Sequence, residues 1–279
     1  MRILITGHKG QLGTALQQVL KGHTILGLDL PEHNIADPGT IVPTVVQFRP
    51  ELVIHSAAMT NVDACEEDPE LAFRVNTLGT QNIALACGQC GAAMVHLSTN
   101  DIFDGKLGRP YREWDTPSPQ SVYAHSKAGA EFYVRTLLQR FYIVRTAWLY
   151  ARGGDNFVTK IIAAADKLGA LRVVTDEVSA PTYAPDLAQA IAQLIHTGHF
   201  GIFHFTNSGI CSRYDWACKI LELSGRGQVP IEPITTDQWA RPAPPPLYAP
   251  ILNSTGAALG ITLRPWDEAL QEYFASDEP

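Results

Sequence analysis

The chain of 279 residues has no long hydrophobic run, no cluster of consecutive basic residues and only five cysteines. No apolar stretch approaches the roughly eighteen residues that a membrane span needs. The first apolar strand starts at Met1 with no leader segment before it. We therefore expect neither a membrane span nor a signal peptide, and a cytoplasmic location by default. The formal charge of −7 argues against binding to nucleic acid or to an anionic membrane.

The five cysteines are an odd number in a chain without an export signal, which favours reduced thiols. Cys87-Gly-Gln-Cys90 matches C-x-x-C, the spacing of redox and zinc sites. Here the pair closes a predicted helix, whereas a redox pair opens one. The other cysteines form no second pair at zinc-ligand spacing. We therefore favour packing at a helix end and expect no bound metal.

The first 20 residues read as a strand, a glycine turn and a helix. An apolar strand runs into Gly7-His-Lys-Gly-Gln-Leu-Gly13, and residues 14–20 follow with helical spacing. This order cradles the phosphates of a dinucleotide at a helix N-terminus. The spacing is G-x-x-G-x-x-G rather than G-x-G-x-x-G, so the position after the first strand carries the interpretation. We assign to cofactor binding Gly7, Lys9, Gly10, Gln11, Leu12 and Gly13.

The second strand, residues 24–28, ends in Asp29, where a carboxylate would bind the adenosine ribose hydroxyls. Asp29 favours NADH, while Lys9 could meet the 2′-phosphate of NADPH, so the cofactor is NADH or NADPH. After the third strand, Ala57 and Ala58 offer small side chains over which a cofactor can pass. Core packing explains these two alanines equally well.

Tyr123 and Lys127 are four residues apart in a predicted helix, so their side chains share a face. The ammonium of Lys127 would favour the ionised phenol and lower the pKa of Tyr123. The tyrosine could then donate a proton near neutral pH. A lone Tyr-x-x-x-Lys arises often by chance, and the glycine turn upstream is what favours a functional pair.

Strands alternate with helices through the first half of the chain, which predicts an α/β fold with a Rossmann-type, doubly wound parallel sheet. Past Trp148 the alternation loosens, and the proline-dense residues 241–250 should form a loop. We predict a dinucleotide-binding domain from residues 1–147 and 171–200. A smaller, discontinuous substrate-binding domain, residues 148–170 and 201–279, would cover the carboxyl edge of the sheet.

Together these motifs resemble the sugar-nucleotide reductases of the extended short-chain dehydrogenase/reductase family over nearly the whole chain. Besides the glycine turn and Tyr123 with Lys127, the resemblance rests on Ala57-Ala-Met-Thr-Asn-Val-Asp63, Leu97-Ser-Thr-Asn-Asp-Ile-Phe-Asp-Gly105, Arg145-Thr-Ala-Trp-Leu-Tyr150, Pro181-Thr-Tyr-Ala-Pro-Asp186 and Arg264-Pro-Trp266. It implies reduction of a dTDP-4-keto-6-deoxy sugar by NADH or NADPH, and leaves a homodimer open.

The resemblance also implies residue roles. Thr99 and Tyr123 would share the ketone oxygen, Tyr123 would give the proton, and Lys127 would also bind the nicotinamide ribose. The sugar would lie beside Val62 and Trp148, and the implied substrate residues are Val62, Thr99, Asn100, Asp101, Tyr123 and Trp148.

Two departures fall where the substrate should be recognised. Members of the family usually have Ser-Thr-Asp-Tyr-Val-Phe at the position of residues 98–103, where this chain has Ser-Thr-Asn-Asp-Ile-Phe. Asn100 can still bond a sugar hydroxyl, whereas the charge of Asp101 must stay solvated or find a cation. Near the C-terminus, this chain has Pro245 where the family has an arginine, and Arg241 is the candidate to take the place of that arginine.

Three alternatives stay open besides a related 4-keto-sugar reductase. An epimerase or a dehydratase shares these motifs, although a dehydratase normally has an acidic pair at Thr99 and Asn100. A dinucleotide-binding regulatory subunit, as in methionine adenosyltransferase, would have no use for the Thr-Tyr-Lys set. A redox or zinc protein would be built on Cys87 and Cys90.

Overall fold

A computed structural model describes residues 1–275 of the chain. The strands are β1 (Arg2–Thr6), β2 (Thr24–Leu28), β3 (Leu52–His55), β4 (Ala93–Thr99), β5 (Phe141–Thr146), β6 (Leu149–Tyr150), β7 (Leu171–Val174), β8 (Val178–Ser179), β9 (Thr182–Tyr183), β10 (Gly201–His204), β11 (Cys211–Ser212) and β12 (Ile231–Ile234). The helices are α1 (Gln11–Val19), α2 (Pro38–Phe48), α3 (Val62–Glu67), α4 (Pro69–Ala72), α5 (Gly79–Cys90), α6 (Val122–Leu137), α7 (Phe157–Leu168), α8 (Ala184–Leu194), α9 (Arg213–Leu223), α10 (Thr255–Ala258) and α11 (Trp266–Ala275). A π-helical stretch, Phe73–Leu78, joins α4 to α5, and 3₁₀ turns lie at Asn100–Ile102 and Thr236–Gln238.

Six parallel strands form the central sheet in the order β10-β5-β4-β3-β1-β2. Strands β3 and β4 are buried along their whole length, as their continuous apolar runs require in a sheet covered on both faces. Apolar residues of α1 and α8 pack on one face, and those of α2, α5 and α6 on the other. The predicted doubly wound α/β fold is confirmed.

Two helices differ from the sequence prediction. Helix α1 begins at Gln11, directly after Gly10, rather than at residue 14. The sequence analysis placed no helix between β2 and β3, where α2 lies. Pro43 sits inside α2 and hides the helical pattern, whereas Asp37 caps the helix by accepting a hydrogen bond from the Gly39 N–H.

The second half of the chain adds small two-stranded sheets and its own apolar core, built mainly from α7, α9 and α11. Two strand pairings depart from the predicted division of the chain. Leu171–Val174 pairs with Ile231–Ile234 in a small sheet, so it does not extend the large one. Gly201–His204 is instead the outermost strand of the large sheet, pairing with β5. Residues 171–174 therefore lie with the second half of the chain and residues 201–204 with the large sheet, which is the reverse of the predicted division. A short apolar strand fits either sheet equally well, so the sequence does not distinguish the two.

Cys87 and Cys90 lie at the C-terminal end of α5, as the sequence predicted, and both are free thiols. Cys87 is buried in the core between α5 and the sheet, and burial raises the pKa of its thiol. Such a thiol is a packing group rather than a reactive one. None of the helices within residues 1–275 is long and apolar enough to cross a membrane.

Candidate active site

A cavity of about 1260 Å³ opens along the carboxyl ends of the sheet strands. In open α/β sheets ligands bind at this edge. The cavity brings together every residue that the sequence assigned to cofactor, substrate or catalysis, namely Gly7, Lys9, Gly10, Gln11, Leu12, Gly13, Asp29, Ala57, Ala58, Val62, Thr99, Asn100, Asp101, Tyr123, Lys127 and Trp148. Their individual roles stay predictions.

Two glycines of the turn leave no room for a side chain. A Cβ on Gly7, whose φ is 71°, would lie 2.8 Å from the backbone nitrogen of Ala57. A Cβ on Gly13 would lie 2.2 Å from the carbonyl oxygen of Gly7. Gly10 precedes α1 and supplies no side-chain cap, so the first N–H groups of the helix are left for a ligand. The turn therefore fits the pyrophosphate of a dinucleotide.

Asp29 and Lys9 are held in fixed positions beside this turn. The carboxylate of Asp29 accepts hydrogen bonds from the backbone N–H groups of Lys9 and Leu30, both at 2.9 Å. The ammonium of Lys9 donates to the carbonyl of Leu30 at 3.0 Å and to Glu32 at 3.2 Å. Asp29 thus faces the cavity as an oriented carboxylate, while the charge of Lys9 is already partly matched.

Tyr123 and Lys127 lie in the first two turns of α6, which begins after Ser121. The Ser121 hydroxyl caps the helix by accepting a hydrogen bond from the Ala124 N–H at 3.2 Å. The buried Lys127 ammonium donates to the carbonyl of Leu97, in the neighbouring strand β4, at 2.6 Å. Thr99 ends the same strand and hydrogen-bonds Tyr123. The hydroxyl of Thr99 and the phenol of Tyr123 therefore meet at the sheet edge, and the Lys127 ammonium is held against the same strand.

The pKa of Tyr123 is raised, not lowered. Burial is the main cause and the nearby charge of Asp101 the second, while the hydrogen bond with Thr99 opposes them. Burial also lowers the pKa of Lys127 to about 8, against the attraction of Glu131. The prediction that Lys127 would bring down the pKa of Tyr123 is therefore wrong for the free protein. Sequence spacing predicts which side chains lie close together, but it does not show how deeply the site is buried from solvent.

A buried network orients α6 against the sheet. The carboxylate of Glu131, one turn after Lys127, pairs with Arg145 of β5 at 2.7 Å and accepts a hydrogen bond from the hydroxyl of Ser98 at 2.6 Å. At the other end, the Asn76 amide bonds the backbone of Met59 and, at 2.9 Å, the hydroxyl of Ser126. These contacts fix the helix that carries Tyr123 and Lys127.

Aromatic and charged groups form the far side of the cavity. Trp148 has a positive φ of 46° and stacks on Trp216, with the ring centroids 5.6 Å apart. The guanidinium carbon of Arg213 lies 3.8 Å from the centroid of the Trp148 ring, and Arg213 pairs with Glu177 at 2.8 Å. Val62, the first residue of α3, also lines the cavity.

The sequence analysis missed Arg213 and Glu177, both of which line this cavity. No motif marks either residue. One physical signal was present: Arg213 is the first residue of α9, where the helix dipole disfavours a cation. An arginine placed there needs a carboxylate partner nearby, and Glu177 provides it.

The residues that depart from the family pattern also line the cavity. Asn100 is buried, and its amide bonds the protein itself. Asp101 is half-buried beside Tyr123, Arg213 and Arg241. The Arg241 guanidinium lies 3.7 Å from Glu177, while Pro245 carries no charge. Asp101 therefore lies in the field of two arginines, both of which pair with Glu177 rather than with Asp101.

The fold and this site define a dinucleotide-binding protein of the extended short-chain dehydrogenase/reductase type. The family model described as the RmlD substrate binding domain matches residues 1–278, and the chain belongs to that family.

Named relatives resemble the chain over nearly its whole length. The spore coat polysaccharide biosynthesis protein SpsK of Bacillus subtilis is 38% identical over 98% of this chain and 96% of its own. A dTDP-4-dehydrorhamnose reductase of Mycolicibacterium smegmatis is 38% identical over 99% of this chain and 85% of its own. The structure of dTDP-4-dehydrorhamnose reductase from Bacillus anthracis in complex with NADP aligns with a TM-score of 0.94 at 34% identity, covering 98% of both chains.

Proposed function

We propose that the chain reduces the 4-keto group of dTDP-4-dehydro-L-rhamnose to give dTDP-L-rhamnose, with NADH or NADPH as reductant. The observation that carries the proposal is one cavity that holds a glycine turn shaped for a dinucleotide together with Thr99, Tyr123 and Lys127. The names of the similar reductases support a dTDP-4-keto sugar as substrate.

The bound cofactor supplies a hydride to the carbonyl carbon. The hydroxyls of Thr99 and Tyr123 then stabilise the negative charge that develops on the ketone oxygen, and Tyr123 gives its proton to that oxygen. The raised pKa of Tyr123 keeps the phenol protonated before reaction. Lys127 is largely protonated near pH 7, because its pKa is about 8, so its ammonium can stabilise the phenolate that proton transfer leaves.

The cavity favours NADH. The oriented carboxylate of Asp29 suits the two ribose hydroxyls and repels a 2′-phosphate. Lys9, the residue that could bind that phosphate, is hydrogen-bonded to Glu32 and to Leu30. The NADP held by the Bacillus anthracis relative favours the other cofactor. Steady-state kinetics with both cofactors therefore belong in the test.

The test incubates the purified protein with dTDP-4-dehydro-L-rhamnose and each reduced cofactor, follows cofactor oxidation and identifies the product by NMR. We expect one cofactor oxidised for each dTDP-L-rhamnose formed. An epimerised sugar without net oxidation would replace the proposal by an epimerase. Cofactor binding without turnover of any 4-keto sugar would replace it by a binding role.

A further inference from the structure

Asn100 is occupied by contacts within the protein. Its amide nitrogen donates to the hydroxyl of Ser179 at 3.3 Å and to the carbonyl of Ala249 at 3.1 Å. Its amide oxygen accepts a hydrogen bond from the hydroxyl of Thr99 at 3.4 Å. Both amide protons are thus used to tie the end of β4 to β8 and to the loop before α10. A sugar oxygen could accept a hydrogen bond from Asn100 only by competing with these contacts.

Asp101, the next residue, has the opposite character. Its backbone N–H donates to Thr99 at 3.1 Å, which fixes the position of the residue directly after the strand. Its carboxylate lines the cavity and accepts no hydrogen bond from any group in residues 1–275. A carboxylate in such a position needs donors, and a sugar hydroxyl is a suitable one.

The charged groups around Asp101 are Arg213, Arg241 and Glu177, and the neutral phenol of Tyr123 also lies near it. Glu177 is shared by the two arginines, at 2.8 Å from Arg213 and 3.7 Å from Arg241. One positive charge is therefore left, and an ionised Asp101 balances it. Burial and Glu177 nevertheless outweigh the arginines and raise the pKa of Asp101 to about 6. The carboxylate is mostly ionised at pH 7 and protonated below pH 6.

The position of Asp101 next to Thr99 and Tyr123 determines which hydroxyl it can reach. If Thr99 and Tyr123 hold the ketone oxygen at C4, as the proposed function requires, the nearest ring hydroxyl is that at C3, because C5 carries the methyl group. We propose that Asp101 is a specificity-determining residue whose ionised carboxylate accepts a hydrogen bond from this C3 hydroxyl. The inference rests on the proposed function.

The test compares wild type with Asp101→Ala and Asp101→Asn. Steady-state kinetics give KM and kcat for the 4-keto sugar, and calorimetry gives the affinity for dTDP-L-rhamnose and for its 3-deoxy analogue. A hydrogen bond to a charged group is worth about tenfold or more in affinity. We expect wild type to prefer the hydroxylated ligand by about tenfold. Asp101→Ala should lose most of that preference, with a larger effect on KM for the 4-keto sugar than on kcat.

The pH profile adds a readout that a merely structural role would not move. In wild type kcat/KM should fall below about pH 6 as Asp101 takes up a proton, because the neutral acid is a weaker acceptor. Asp101→Asn should lose this acid limb. The matched control is Asp104→Asn on the same loop, whose carboxylate bonds the Tyr111 hydroxyl at 2.6 Å and does not line the cavity. It should keep the wild-type KM and acid limb.

An Asp101→Ala variant that still discriminates between the two ligands as wild type does would overturn the inference while leaving the reductase intact. We expect Asn100→Ala mainly to lower thermal stability. A rise in KM in Asn100→Ala that is absent from Asp101→Ala would therefore also overturn the inference. If the wild-type protein turns over no 4-keto sugar, the proposed function is wrong, whatever the role of Asp101. The ligand affinities then still decide whether Asp101 distinguishes the C3 hydroxyl.

Discussion

Tyr123 lies in a site that is less accessible to solvent than its sequence motif suggests. Its phenol is surrounded by buried groups, and the neighbouring acid Asp101 makes ionisation harder still. The hydrogen bond with Thr99 makes ionisation easier. In the proposed mechanism Tyr123 donates a proton, and a neutral phenol suits that role. That mechanism requires Lys127 and the ligands that fill the cavity to offset the cost of forming the phenolate.

Tyr123→Phe should lower turnover on the order of 10²–10⁴-fold with little change in cofactor affinity. The substitution removes the proton donor and one donor to the ketone oxygen, but it keeps the ring and therefore the packing. Turnover at saturating substrate tests the expected loss of activity, and fluorescence titration tests whether the cofactor affinity is kept. A variant that keeps more than about a third of wild-type turnover would remove Tyr123 from the mechanism.

Single residues were predictable where local backbone geometry dictates them. Gly7 and Gly13 could be found because no side chain fits at either position, and Tyr123 with Lys127 because helical spacing brings them to one face. Arg213 and Glu177 could not be found, because they meet only after α9 folds against the segment before β8. The pKa of Tyr123 depends on burial, which a motif does not contain.

At the scale of elements, α6 is the part that must be placed accurately, because one helix carries both Tyr123 and Lys127. Its strongest tie to the sheet is the bidentate pair of Glu131 and Arg145, with bonds of 2.7 and 2.9 Å. The two side chains are 5% and 1% exposed, so neither charge is solvated if the other is lost. The pair therefore stabilises the fold mainly by avoiding an isolated buried charge.

Glu131→Ala should destabilise the protein by about 3–5 kcal/mol, because it leaves Arg145 charged and buried. Urea denaturation measures the change in the free energy of unfolding. Replacing both partners with apolar residues, as in Glu131→Leu with Arg145→Met, should recover a large part of that loss. A loss below about 1 kcal/mol in Glu131→Ala would mean that water reaches this pair and that other contacts hold α6.

Element order was predictable from apolar periodicity, whereas several boundaries and partners were not. The parallel sheet followed from its buried apolar strands. Helix α2 was hidden by Pro43, and no sequence pattern indicated the π-helical segment Phe73–Leu78. Strands β7 and β10 are short and apolar, so the sequence could not show which sheet each joins. Pairing is set by tertiary contacts rather than by local pattern.

At the scale of the whole molecule, the glycine turn is tied directly to the second half of the chain. The side-chain oxygen of Gln11 accepts hydrogen bonds from the Ala151 N–H at 2.7 Å and from the Asn156 amide at 2.9 Å. Residues 151–156 line the cavity next to the turn. Gln11, assigned from the sequence to cofactor binding, thus uses its side chain to hold this segment over the cofactor end of the cavity.

Gln11→Ala should speed cofactor dissociation by about tenfold and leave kcat within about twofold. Two hydrogen bonds worth about 1 kcal/mol each hold residues 151–156 in place, and only part of that energy is felt by a cofactor beneath them. Stopped-flow displacement gives the dissociation rate, and hydrogen exchange should show faster exchange at the Ala151 amide. Gln193→Ala, on the exposed face of α8, is the control and should change neither. If Gln11→Ala speeds exchange at Ala151 but leaves cofactor dissociation unchanged, the segment contacts the turn without retaining the cofactor, and retention must come from the glycine turn and Asp29 alone.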